Sequence, residues 1–292
     1  MAESIISRFT QAAGLQPRKD APRPVRVIAV ASGKGGVGKT NVSANLALAL
    51  QMAGEQVLLM DADLGLANVD VLFGLQPMFH LGHVLEGRCS LNDALVQGPS
   101  GLTIVPAASG LKQMASLSHA EHVGLIRAFS ELARPIDTLI VDTAAGIADS
   151  VTTFCRAAQE ALIVANNEPA SLTDAYALIK VLSRDHGIHR AHVIANMIRS
   201  AADGYEMFEH LRRVSERFLD VHLNYLGGVP YDEYLQRAIR RQTAVVEAYP
   251  SAQSSVAFRN LAATVRKWPP PEGARGHVEF FVERLIGTGA YA

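Results

Sequence analysis

From Val25 onward the chain alternates two hydrophobic patterns. Short, nearly continuous apolar runs stand at 25–30 (VRVIAV), 56–61 (QVLLMD), 102–107 (LTIVPA), 137–142 (DTLIVD), 161–166 (ALIVAN), 192–197 (HVIANM) and 223–230 (LNYLGGVP). Several lack polar alternation, as a strand covered on both faces requires. Between the runs, 39–53, 118–133, 148–158, 171–185, 204–219 and 252–267 read as amphipathic helices. Ser118 and Glu121 have capping-box spacing at the start of one of them. Regular alternation of this kind predicts a parallel sheet with helices on both faces, joined by right-handed crossovers.

The segment 16–24 (QPRKDAPRP) mixes proline with charge and reads as a linker. Residues 1–24 are therefore expected to be an extension and linker, 25–270 one α/β domain, and 271–292 a C-terminal amphipathic helix and tail. Within 277–286, Val278, Phe281, Val282 and Leu285 fall at i, i+3, i+4 and i+7.

Composition narrows the function classes. About half of the 292 residues are apolar, and 27 Lys and Arg nearly balance 28 Asp and Glu. No global field draws the chain to nucleic acid or anionic lipid, so such a contact needs a local patch. Cys89 and Cys155 have neither disulfide-framework nor zinc spacing, and each reads as a buried apolar residue. The N-terminus lacks the pattern of a secretory signal, and no apolar run approaches the roughly 20 residues needed to span a bilayer. A cytoplasmic protein is expected.

The sharpest chemistry lies just after the first strand. Residues 33–40 read GKGGVGKT, which satisfies G-x-x-x-x-G-K-[ST] between a strand and a helix. Glycines let successive backbone N–H groups turn towards a polyanion, and the following helix adds its positive end. Lys39 is placed to reach the β- and γ-phosphates, and the Thr40 hydroxyl to ligate Mg²⁺. The candidate nucleotide cradle is Gly33, Lys34, Gly35, Gly36, Val37, Gly38, Lys39, Thr40 and Asn41. Lys34 is an extra lysine that an ordinary phosphate loop does not need; a solvated loop lysine is its other reading.

Three acids join the loop. Asp61 ends an apolar run, Asp63 follows it, and Asp142 ends LIVD. Carboxylates at the C-terminal ends of parallel strands lie where open α/β sheets bind ligands, and phosphoryl transfer needs groups that hold Mg²⁺ and orient water. Each aspartate alone could equally be a turn or helix cap.

The whole stretch SGKGGVGKT, with lysines at both ends, resembles the deviant phosphate loop of the MinD/ParA ATPases. DADLGLANVD, VPAASG, VDTAAGI, NEPASLTDAYALIK and GHVEFFVERL extend the likeness from Val25 to Ile286 and resemble the flagellar-number regulators of the FlhG/FleN group. The resemblance implies an α/β P-loop NTPase of the MinD/ParA (SIMIBI) type, with a mostly parallel central sheet flanked by helices. It implies ATP and Mg²⁺ as cofactors and an ATP-dependent homodimer in which Lys34 reaches the partner's phosphates. Asp63 would then position the attacking water, while Asp61 and Asp142 join Thr40 around Mg²⁺. Asn196 and Pro230 would enclose the adenine, although a plain strand-ending asparagine fits Asn196 nearly as well.

Partners follow from the same likeness. A flagellar master activator of the FleQ type is the expected target, with the helix surfaces near 171–185 and 204–219 as candidate contacts. The TQAAGLQ segment at 10–16 resembles the element by which some members stimulate the GTPase FlhF, but its two charged residues are replaced by Thr10 and Gln16. Weak or no stimulation is expected. The helix in 277–286 either docks on its own domain or makes a weak membrane contact, which would add a peripheral location at the inner membrane or cell pole. The rival class is a ParA-like DNA or cargo positioning ATPase. Arg237, Arg240 and Arg241 could touch phosphates in that class, but a solvated helix face suits them better, so direct DNA binding is not expected. A metabolic P-loop enzyme would need a substrate pocket that no motif announces.

Overall fold

The computed structural model describes residues 24–107, 117–132, 134–271 and 273–289. Residues 1–23 of the expected extension, TQAAGLQ among them, the end of VPAASG and the last residues of the expected tail lie outside them.

Eight strands form one sheet: β1 (Arg26–Ser32), β2 (Val57–Ala62), β3 (Val96–Gln97), β4 (Thr103–Val105), β5 (Thr138–Ala145), β6 (Glu160–Ala165), β7 (Arg190–Ile198) and β8 (His222–Pro230). Their spatial order is β3-β4-β2-β5-β1-β6-β7-β8. Every pairing is parallel except β3 with β4. The seven expected strands are all present, their ends displaced by up to three residues; the two-residue β3 is too short to leave a pattern.

The continuous apolar runs divide between two layers because side chains alternate across a strand. Val27, Ala29 and Ala31 of β1 face one core, with Leu58 and Met60 of β2 and Leu139 and Val141 of β5. Ile28, Val30, Val57, Leu59 and Ile140 face the other.

Helices cover both layers. On the second lie α1 (Lys39–Met52), the short α2 (Val69–Leu72), α8 (Glu233–Arg240), α9 (Val245–Ala248) and α10 (Gln253–Val265). On the first lie α4 (His119–Ala128), α5 (Asp149–Ala157), α6 (Pro169–Arg184) and α7 (Ala201–Phe218), while α3 (Leu81–Leu85) adds Leu81 to it. The expected capping box opens α4: Ser118 Oγ accepts from Glu121 N at 3.3 Å, and the Ser118 N–H donates to Glu121 Oε2 at 2.7 Å.

The C-terminal segment differs from its expected form. Its helix, α11, covers only Val282–Gly289, and Phe280, Phe281 and Leu285 are fully buried. The Phe280 ring meets Phe129 edge-on at 5.0 Å and stacks on Phe154 at 6.3 Å. The backbone turns at Phe281, where φ is 54°, and the helix starts after it. Arg284 ties that helix to the body by donating to the Leu132 carbonyl at 2.7 Å.

Candidate functional site

β1 ends at Ser32 and the chain turns through residues 33–38 into α1. Gly38 caps α1 in the left-handed region at φ 85°, leaving the first-turn N–H groups directed out of the helix. A side chain at Gly33 would put Cβ 2.1 Å from the backbone carbonyl of Asp174 in α6, so only glycine permits that packing. Around Gly35 and Gly36 the space is open, with no atom within 4 Å of an added Cβ. Val37 is buried in the core and presents only its backbone; Thr40 and Asn41 are half-buried in the first turn of α1.

Lys39 turns inward. Its Nζ lies 2.9 Å from Asp142 Oδ1, with only 7% and 1% of the two side chains exposed. Ser43, one helical turn further along, donates to the same oxygen at 2.7 Å. Asp142 Oδ2 is buried with no hydrogen-bond partner. Asp61 sits beside Asp142 in the β2–β5 register. Its Oδ2 accepts the N–H groups of Asn68 and Val69, and its Oδ1 that of Asp63. Burial, reinforced by the neighbouring Asp142, pushes the Asp61 carboxyl up to about 7. Asp63 is half-buried and accepts from Leu66 N at 3.2 Å. Burial raises its pKa above the ordinary value, against the pull of Lys39.

Lys34 points elsewhere. Its Nζ lies 3.4 Å from Glu168 Oε2, and both side chains are well exposed. The Ser32 hydroxyl donates to the Lys34 carbonyl, and Gly146 N to the Ser32 carbonyl, so the loop after β5 is fastened to the phosphate loop. At β7, Asn196 Nδ2 donates to the Val37 carbonyl at 2.7 Å, while its buried Oδ1 has no partner. Pro230 ends β8 next to Ile198 of β7.

The structure therefore brings the loop, Asp61, Asp63, Asp142, Asn196 and Pro230 to one edge, the C-terminal ends of β1, β2, β5, β7 and β8. The donor set suits the expected ligands. Hard carboxylate and hydroxyl oxygens are what Mg²⁺ prefers, and the free Asp142 Oδ2 stands beside a lysine and a helix N-terminus that suit phosphate. Sequence reasoning missed Ser43 and Glu168. Ser43 leaves a faint mark as a polar residue, four after Lys39, in the mainly apolar α1. Glu168 leaves none, since its contact spans 134 residues of chain.

A parallel sheet with helices on both faces, a phosphate loop and paired aspartates at the strand ends define a P-loop nucleotide hydrolase. The ParA family, described as NUBPL iron-transfer P-loop NTPase, matches residues 24–266. The chain belongs to the MinD/ParA family of P-loop ATPases. It is 58% identical to the antiactivator FleN of Pseudomonas aeruginosa over 90% of this chain and 94% of that one. It is 34% identical to the flagellum site-determining protein YlxH of Helicobacter pylori, over 81% and 80% of the two chains. The structure of the septum site-determining protein MinD of Pyrococcus horikoshii, complexed with Mg-ADP, superposes with a TM-score of 0.70 at 30% identity, covering 83% and 96%. The iron chemistry in the family description has no counterpart in the two cysteines. Cys155 is buried, its thiol pushed up to about 12 by burial, and half-buried Cys89 lies on another part of the chain.

Proposed function

We propose that this Mg²⁺-dependent ATPase is a dimerising switch that restrains flagellar number and flagellar gene expression by antagonising an activator of the FleQ type. The observation that carries the switch is the division of labour between the two loop lysines. Lys39 is committed to the interior of its own subunit, whereas Lys34 stands at the surface with only an exposed carboxylate for company. A lysine that the chain's own phosphate pocket does not use is available to a second subunit.

Binding begins with an exchange. The phosphates of ATP would draw Lys39 from Asp142, and Asp142, with Asp61 and Thr40, would then be free to hold Mg²⁺. The metal supplies a Lewis acid that neutralises charge on the phosphates. Asp63, its pKa raised above the ordinary value by burial and its carboxylate held by its turn, would orient the attacking water. Asn196 braces the loop through Val37 and offers Oδ1 to the adenine amino group, beside Pro230. Lys34 leaves Glu168 to meet the partner's phosphates, which offset the repulsion between cations across the interface.

The target is inferred from the 58% identity to an antiactivator. Helices α6 and α7, which follow the nucleotide-edge strands β6 and β7, are the proposed contact surface. The C-terminal segment is proposed as part of the body: a membrane contact through 277–286 would have to withdraw Phe280 and Phe281 from the core. The ParA-like reading gains little support from the arginine cluster, because Arg237 pairs with Glu233 and Arg241 donates to the Tyr249 hydroxyl. Association with a purified FleQ-type activator, measured by light scattering, is expected with ATP·Mg²⁺ and absent with ADP. Equal association in both states would refute the switch as the basis of antagonism.

A further inference from the structure

Asp142 has a second donor, one that cannot leave with Lys39. Ser43 lies in α1, fully buried, and its hydroxyl is 2.7 Å from Asp142 Oδ1 and 3.1 Å from the Lys39 carbonyl. One proton cannot serve both. The helix already supplies the carbonyl with the N–H four residues on. The carboxylate is charged and nearer, at the distance of a charge-assisted O–H···O⁻ bond. Elsewhere in the chain Thr173 and Thr264 rest their hydroxyls on the carbonyl four residues back, at 3.0 Å, as hydroxyl side chains in helices commonly do. Ser43 instead gives its proton across to β5.

Among the described residues, Lys39 and Ser43 are the donors to Asp142, both on Oδ1, while Oδ2 has none. Thr143, next along β5, spends its hydroxyl on the Val30 and Ala144 carbonyls. The two donors differ in freedom. Lys39 carries its ammonium on a flexible four-carbon stem, whereas Ser43 is a short side chain on a helix packed against β5. A buried carboxylate stripped of every donor is costly, and that cost would hold the Lys39–Asp142 pair closed. The serine bond counts for most once Lys39 has gone, because in the closed pair the lysine already satisfies the same oxygen.

We propose that Ser43 is a positioning residue of the phosphate site: its hydroxyl keeps Asp142 bonded and oriented while Lys39 turns to the nucleotide, and so makes the pair easier to open. Ser43 acts in this way only if Lys39 does exchange Asp142 for phosphate, as the proposed switch requires.

Calorimetric titration of the full chain with a non-hydrolysable ATP analogue, in EDTA and in Mg²⁺, tests the two steps separately. Asp142→Ala leaves Lys39 unengaged and should tighten metal-free binding; no tightening refutes the exchange itself, and the role of Ser43 with it. Ser43→Ala, which keeps a good helix former, should weaken metal-free binding about tenfold. The loss should be smaller with Mg²⁺, where Asp142 has a second partner, and absent in the Asp142→Ala background. Ser43→Cys keeps the shape with only a weak S–H donor; it should lose several-fold and serves if the alanine variant does not fold. Wild-type affinity of the folded variants in EDTA overturns the proposal, as do equal losses in both media or an equal loss without Asp142; tightening in Asp142→Ala would then leave the exchange standing.

Discussion

Lys39 and Asp142 form a closed pair, 2.9 Å apart and almost wholly removed from solvent. The group that should grip phosphate is therefore occupied by the carboxylate that should help hold magnesium. In the proposed switch nucleotide binding breaks this pair, and its opening would couple the two halves of the site.

Removing one partner of a buried ion pair leaves the other uncompensated, at a cost of about 3–5 kcal/mol. Lys39→Ala should therefore lower the stability of the nucleotide-free protein by an amount of that order, as well as abolishing ATP binding. Urea denaturation of Lys39→Ala and of the Lys39→Ala/Asp142→Ala double variant checks this. The double variant should recover part of the loss; an undisturbed single variant would show that the pair carries no strain or stability.

Asp61 gives the nucleotide-free protein a pH dependence. Its folded pKa lies near 7, above the ordinary 3.8, because burial disfavours the charged form. A raised carboxyl contributes stability that is present below the unfolded value and lost as pH rises through the folded one. From pH 6 to 8 the nucleotide-free protein should lose about 1 kcal/mol from this group. Thermal melts at the two pH values measure the loss, and Asp61→Asn should flatten it. A nucleotide-free protein more stable at pH 8 would contradict the assignment.

Two neighbouring glycines should behave differently. Gly33→Ala drives a methyl into the Asp174 backbone, so α6 must move away from the loop at a cost of roughly 1–3 kcal/mol. Gly35→Ala meets nothing within 4 Å and should leave the nucleotide-free fold intact within about 0.5 kcal/mol. Calorimetry on both variants distinguishes them; equal destabilisation would refute the close approach.

The C-terminal segment makes the same kind of test possible for the membrane question. Phe280→Ala opens a cavity between Phe129 and Phe154 and should cost about 3–5 kcal/mol. Wild-type protein should not co-sediment with liposomes in the absence of ATP. A fully stable Phe280→Ala protein would mean that the segment is not part of the core.

The strand and helix series was legible because buried parallel strands and amphipathic helices write different periods into the sequence, and the SGKGGVGKT loop is a local motif. Less visible were α8 and α9, which are short, and the start of α11, which falls after the turn at Phe281. The site's acids could be picked out as strand ends. The contacts Lys39–Asp142, Lys34–Glu168 and Asn196–Val37 could not, because each joins residues more than a hundred positions apart. Only the order of strands in the sheet brings them together.

In the proposed switch, ATP held by one subunit recruits a second through Lys34. Light scattering of the Asp63→Ala variant, which should hold the triphosphate without hydrolysing it, tests this most directly. A monomer with ADP, a dimer with ATP·Mg²⁺ and a monomer again when Lys34→Ala is added are the expected states. A protein that binds ATP yet stays monomeric in every state would contradict it and point instead to a P-loop enzyme acting on a small molecule.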